Sequence, residues 1–313
     1  MRSGKVFGRF LALVPVLLAI TFVTFALLRL AGGDVVTQKM ENTGQVLSPE
    51  VVAEARRELG LDRPFLVQYA RWLAGILQGD MGKSYVSGLD VFDTFVSKLP
   101  ATLLLAGAAV GLTALVSVPL GTLAAMRRGG VVDRAVRLLS FVGNSAPNFF
   151  VALLLMYVFA IRLELLPVLS REPSLRGAIL PALTLATAMS AKYVRQVRAA
   201  VLDELQKPYV EGARARGVPE WRTMLFGVLR ASGVTIVTLL ALSIGSLLGG
   251  AAIVETIFMW DGVGRLAVEA IRMRDYPIIL AYVMWMSVIY VTVNFLADLT
   301  YHKLDPRIRS EGA

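Results

Sequence analysis

Apolar residues along this chain gather into six long runs, separated by segments where charge, proline and glycine concentrate. A helix needs about 20 apolar residues to cross a hydrocarbon layer about 30 Å thick. The runs cover residues 10–30, 101–125, 138–161, 178–197, 234–257 and 278–301. They predict an all-α, polytopic membrane protein with six transmembrane helices, forming one domain over residues 1–313. The first run follows Arg2, Lys5 and Arg9, but it is about twice as long as a signal peptide's apolar core and reads as an uncleaved span. Pro119, Pro147 and Pro181 interrupt the runs or their ends. Such breaks are tolerated where neighbouring helices satisfy the freed carbonyls.

Two of the intervening segments have structure of their own. Residues 31–100 hold more acid than base and read as an external cap loop with two short helices. Ser48, Pro49 and Glu50 open the first, since serine caps a helix and proline suits its first turn. Gly60 closes it. The second spans 65–77, where Tyr69 and Trp72 suit a membrane interface. Residues 199–232 form the other segment. Pro208 opens a helix and Gly217 closes it, leaving one short helix over 209–216 before Pro219 starts the next. Tyr209, Glu211, Gly212, Ala213, Arg214, Ala215 and Arg216 give this helix a thin, basic surface. It is too short to be stable alone. Either a partner surface holds it or it rests on lipid headgroups.

Composition supports the membrane reading: 56% of the 313 residues are hydrophobic and 18% charged, with mean hydropathy +0.64. The net charge of +9 would point to an acidic partner in a soluble protein. Here the bases fall on alternate loops: at the amino terminus, at Arg127, Arg128, Arg134 and Arg137, around residues 199–232, and in the tail at Lys303, Arg307 and Arg309. By the positive-inside rule both termini are cytoplasmic. Nucleic-acid binding then loses its motivation.

Candidate chemistry is sparse. There is no cysteine and a single histidine, His302, so no metal site is expected. Ser145 has no histidine within the spans to activate it, which removes a serine-protease reading. No phosphate-binding Gly-x-x-x-x-Gly-Lys motif occurs, so any ATP and its Mg must be bound and hydrolysed by another chain. Without internal repeats or a chain of intramembrane acids, a self-sufficient secondary transporter or channel also lacks support. Asn144, Ser145, Pro147 and Asn148 form a polar, broken stretch that either lines a pathway or packs helices. Glu255, with Phe258 and Trp260 after it, either lines an outer gate or reaches the interface. Asn294 and Asp298 share a face of the last run.

The stretch from Tyr209 to Val218 resembles the EAA loop of permease subunits of ATP-binding-cassette importers, with Gly217 at the position of that motif's glycine. The usual Glu-Ala-Ala is Glu211-Gly212-Ala213 here. Other stretches resemble the first permease of the dipeptide, oligopeptide and nickel group. They include Leu-Gly-Leu-Asp-Arg-Pro from Leu59, Gln68-Tyr69 with Trp72-Leu73, Asp80 to Ser84, Gly143 to Phe149, Glu255 to Phe258, Gly262 to Arg265, Arg274 to Pro277, and Leu304 to Ile308. The family's Pro-Gly-Asp-Pro and Trp-Pro-Gly are replaced by Gly32-Gly33-Asp34-Val35 and Trp260-Asp261-Gly262.

The resemblance implies the type I importer permease fold and a multi-pass protein of the cell's inner membrane. It makes the chain a transport subunit rather than an enzyme, forming half of a translocation pathway without a cofactor of its own. It also implies the partners: a second homologous permease, two cytoplasmic ATPase subunits seated on the coupling helix, and an external substrate-binding protein. Pro147-Asn148-Phe149 and the Lys83-Ser84-Tyr85 region look closer to nickel and metallophore members than to peptide members. The implied cargo is therefore nickel or a metal chelate, or a di- or oligopeptide.

Overall fold

A computed structural model of the chain describes residues 13–30, 36, 48–58, 60–169 and 174–304. Among these residues the only β-pairing is an isolated bridge between Lys83 and Asp90; the rest is helix and connections. The basic amino terminus and Arg307 and Arg309 lie outside the described residues, as do the side chains of Asp298, His302 and Lys303. The chain divides into two compact units, residues 1–100 with 265–291 and residues 101–264 with 292–313.

In the first unit, α1 (Leu13–Leu30) is mostly apolar, with Arg29 in its last turn, and α2 (Pro49–Glu58) and α3 (Phe65–Leu77) follow it. The expected serine cap of α2 is present, with Val51 N donating to Ser48 Oγ at 3.4 Å. The expected glycine stop is present too, with Gly60 at φ 66°. α3 lies on α1 through interlocked rings: Phe25 is 5.5 Å from Phe65, 5.6 Å from Tyr69 and 5.9 Å from Trp72. Tyr69 and Trp72 thus spend their rings on α1. The loop after α3 is pinned by Asp275, which accepts from Ser84 Oγ at 2.5 Å and from Tyr85 N at 3.0 Å. Met81, Val91, Ile278 and Ala281 close the core beneath it.

α4 (Val91–Met126) begins about ten residues before the expected second span. The start signal is Asp90, whose Oδ1 accepts from Asp93 N at 3.0 Å, an N-cap hidden within a polar segment. Pro119 lies inside α4 and Pro181 inside α7 (Leu175–Leu205); neither ends its helix.

Pro147 behaves differently, and the stretch expected as the third span is bent there. α5 (Val131–Ser145) and α6 (Asn148–Leu155), which continues as a π-helical turn over Met156–Arg162, meet at 101°. A residue before proline is pushed out of the helical region, and Ala146 is extended at φ −77°, ψ 125°. Ser145 Oγ also folds back to donate to Phe141 O at 3.0 Å.

In the second unit α7 is central, packing against α5, α6 and α9 (Leu229–Ile257). Small residues bring these helices close. A methyl at Gly121 would lie 2.8 Å from Val194 O, and one at Gly143 would lie 3.1 Å from Ala191 Cβ. The turn between α4 and α5 is tied to α7 by Asp133, which is 1% exposed. Arg198 donates Nε to Oδ1 at 2.6 Å and Nη2 to Oδ2 at 2.9 Å, and Gly129 N adds a third bond at 2.9 Å.

Four helical stretches are long and apolar enough to cross a membrane: Val91–Met126, Leu175–Leu205, Glu220–Gly245 and Tyr276–Leu296. The bent pair makes five when counted as one span. Among the described residues the expected six are therefore not all reached; α1 is apolar but its described part is shorter, and the residues before it lie outside the description.

Candidate functional site

The short helix expected over 209–216 is α8, Pro208–Ala215. It is separated from α7 because Lys207, the residue before Pro208, is extended at φ −78°, ψ 146°. Its end is a left-handed cap. Gly217 has φ 69°, Gly217 N donates to Arg214 O at 2.9 Å, and Val218 N donates to Ala213 O at 3.1 Å.

Three residues apart on α8, Val210 and Ala213 share one face. Val210 is fully buried in a cluster with Val201, Met224 and Val228, and Ala213 is 8% exposed. α8 is thereby anchored by its apolar face to the end of α7 and the start of the next helix. That next stretch is Glu220–Arg222, a π-helical turn Thr223–Val228, and then α9.

The opposite face of α8 is open. Glu211, Arg214, Ala215, Arg216 and Gly217 are exposed, and Gly212 is half-buried. Arg214 Nη2 lies 3.5 Å from Glu220 Oε1, a weak surface pair. Tyr209 sits at the edge, its ring 3.3 Å from where a methyl on Gly227 would be. Partial burial, and a hydrogen bond donated to Glu204, push its hydroxyl up to about 12. Glu204 also holds the ammonium of Lys207, so one nearly buried carboxylate braces the hinge before α8.

Sequence reading picked out the helix but not its anchor. Val210 and Ala213 carry the apolar spacing that marks a packed face, and that spacing was the available signal. It also missed Trp221, 58% exposed, and Phe226, 68% exposed, whose rings lie 6.5 Å apart just beyond α8.

The candidate pathway residues fall into two sets. Asn144, Ser145 and Pro147 are exposed at the break between α5 and α6, with Asn148 half-buried. Glu255, Phe258 and Trp260 are all fully buried. Thr102 Oγ1 donates to Glu255 Oε1 at 2.7 Å and accepts from Val263 N at 2.9 Å. Trp260 Nε1 donates to Ala101 O at 3.0 Å. Gly262 and Gly264 cover the carboxylate so closely that a methyl on either would lie within 2.8 Å of Glu255 Oε2. Thr102 and the two glycines are participants that sequence reading did not attach to Glu255.

Residues 117–310 match the family described as binding-protein-dependent transport system inner membrane component, and residues 5–106 match its N-terminal family. A probable peptide ABC transporter permease protein of Sinorhizobium fredii is 36% identical over 96% of this chain and 97% of its own length. The oligopeptide transport system permease protein AppB of Bacillus subtilis is 36% identical over 98% of this chain and 99% of its own. A di/tripeptide transport system permease protein of Pseudomonas aeruginosa is 33% identical over 96% of each. Among solved structures, one of the MetNI methionine ABC transporter in an inward-facing conformation superposes with TM-score 0.59 at 16% identity, over 68% of this chain and 96% of that one. That likeness bears on the fold. The chain belongs to the family of binding-protein-dependent transport system inner membrane components, as a permease subunit of the ABC importer type.

Proposed function

We propose that this chain forms half of the translocation pathway of an importer for short peptides, and that α8 is the helix through which ATP hydrolysis in another subunit moves it. The observation that carries the reading is the two-faced build of α8. Val210 and Ala213 fasten it to the two helices that flank it, while Glu211, Arg214 and Arg216 project outward between a proline and a left-handed glycine. A load applied to the outer face would pass directly into α7 and α9. Closure of an ATPase pair would then rock the spans between inward-open and outward-open states.

In this reading a second permease completes the pathway, two cytoplasmic ATPase subunits bind the nucleotide and Mg, and an external protein delivers cargo. Both termini lie in the cytoplasm, on the side of α8. The named peptide transporters among its relatives support peptide as the cargo. Tyr209, Glu211, Gly212, Ala213, Arg214, Ala215, Arg216 and Gly217 form the coupling element. Asn144, Ser145, Pro147 and Asn148 line the pathway at the break, and Glu255, Phe258 and Trp260 brace its outer end.

The test is Gly217→Val. A methyl at Gly217 meets open space, so the substitution acts through φ alone. A β-branched residue there costs about 1–2 kcal/mol of backbone strain, which lies at the end of α8 and not in the spans. The variant should insert normally but import peptide poorly in a reconstituted transporter. Unimpaired import would overturn the coupling role. Titrating the delivery protein with peptides and with nickel chelates checks the cargo, and binding of chelates alone would overturn the peptide reading.

A further inference from the structure

Several stretches that link this chain to its family lie outside α8, and four of them wall one cavity of about 840 Å³ in the first unit. Gly60 and Leu61 come from the first stretch, Gln68 and Trp72 from the second, residues 80–84 from the third, and Tyr276 and Pro277 from the fourth. The wall is stiff. Asp275 clamps Ser84 and Tyr85, Asp80 Oδ1 accepts from Gly82 N at 2.8 Å, and Gly82 turns the chain at φ 78°. A preformed wall lowers the entropic cost of holding a ligand. A volume between roughly 300 and 1,000 Å³ is that of a small-molecule site.

The lining has a definite chemistry. Arg29, Arg71 and Lys83 bring positive charge, and Glu58 and Asp80 bring negative charge. Among the described residues none of these five forms an ion pair with another. Gln68 donates Nε2 to Leu61 O at 3.1 Å and to Arg63 O at 2.7 Å, which fixes this side of the wall. Trp72 and Phe25 add an apolar surface. Cations, carboxylates and aromatic rings together match a small zwitterion with an apolar side chain.

We propose that this cavity is a binding site, on the permease itself, for a short peptide with free termini. The cations receive the terminal carboxylate, Glu58 receives the terminal ammonium, and Trp72 faces an apolar side chain. The choice of peptide rests on the cargo reading above. A phosphatidylethanolamine headgroup carries the same two charges, and the experiment separates the two sources.

Full-length protein in nanodiscs of phosphatidylglycerol is titrated calorimetrically with alanyl-phenylalanine, with its N-acetylated form and with its C-amidated form. The free dipeptide should bind saturably, and each capped form should bind roughly tenfold more weakly, the worth of one charge-assisted contact. Arg71→Gln and Lys83→Gln should weaken the free dipeptide and leave the amide unchanged, while Arg71→Lys retains binding and controls for folding. No binding, or equal binding of free and capped forms, overturns the proposal. So does loss of dipeptide binding when phosphatidylethanolamine is added, since the site would then belong to lipid. Peptide import by the whole transporter alongside a negative titration would sink the site and leave the cargo reading standing. A transporter that imports only metal chelates would sink the cargo reading itself.

Discussion

Asp133 is nearly buried, at 1% exposure, and all its hydrogen bonds come from two elements, the turn after α4 and Arg198 on α7. Removing one partner of such a pair leaves the other charge without compensation, at about 3–5 kcal/mol. Asp133→Ala should therefore lower the denaturation midpoint of the purified protein markedly, while Arg137→Ala, whose side chain is half exposed at 3.5 Å, should shift it little. Equal shifts would show that the bidentate pair does not hold the turn. In the Glu255 cluster the sensitive residue is Gly262, where a methyl would sit 2.6 Å from the Glu255 carboxyl carbon. Gly262→Ala should cost about 1–3 kcal/mol from overpacking, read in the same unfolding assay, and a neutral result would mean that the cluster yields easily. Neither site was legible from sequence. Asp133 read as a lone acid in a basic turn, and Arg198 as one more cytoplasmic charge, because no local pattern joins residues 65 positions apart. Thr102 and Glu255, 153 apart, were hidden for the same reason.

Among the elements, α8 was the most legible, since proline and glycine fix backbone angles locally and leave a mark within a few residues. Its bounds shifted by one residue, and Lys207 took the extended form that a following proline demands. What remained out of reach was its attachment, which depends on Met224 and Val228 of a later helix. The Tyr209 hydroxyl, raised to about 12, adds a pH signature to this junction. A folded-state value above the unfolded one of 10.0 means that stability is fully present below pH 10 and is lost as pH climbs through about 12. Alkaline unfolding in that window should be blunted in Tyr209→Phe, and an unchanged alkaline profile would show that the Glu204 contact is not formed. The break between α5 and α6 was half legible. Pro147 marked it, but the same residue type at 119 and 181 stays inside continuous helices. At Pro147 the preceding Ala146 is extended and the Ser145 hydroxyl bonds back to Phe141 O, and the bend measures 101°. The two π-helical turns left no pattern that composition or spacing reveals.

For the molecule as a whole, the hydrophobic runs were enough for an all-α membrane protein, and the family match extends that to a transport permease. The span count was less secure, because a run of apolar residues does not record whether the helix through it is straight. Charge, read as topology, gives the expectation that α8 shares a side with the termini; structure adds that α8 is packed on one face and left open on the other. The central claim is that this open face meets an ATPase and carries its motion. The chain has no native cysteine, so Glu211→Cys and Arg214→Cys each place a unique thiol on α8. In the reconstituted transporter these thiols should cross-link to a cysteine in the ATPase subunit, with a yield that changes between nucleotide-free and ATP-bound states. No cross-link from residue 211 or 214 in either state would contradict the account.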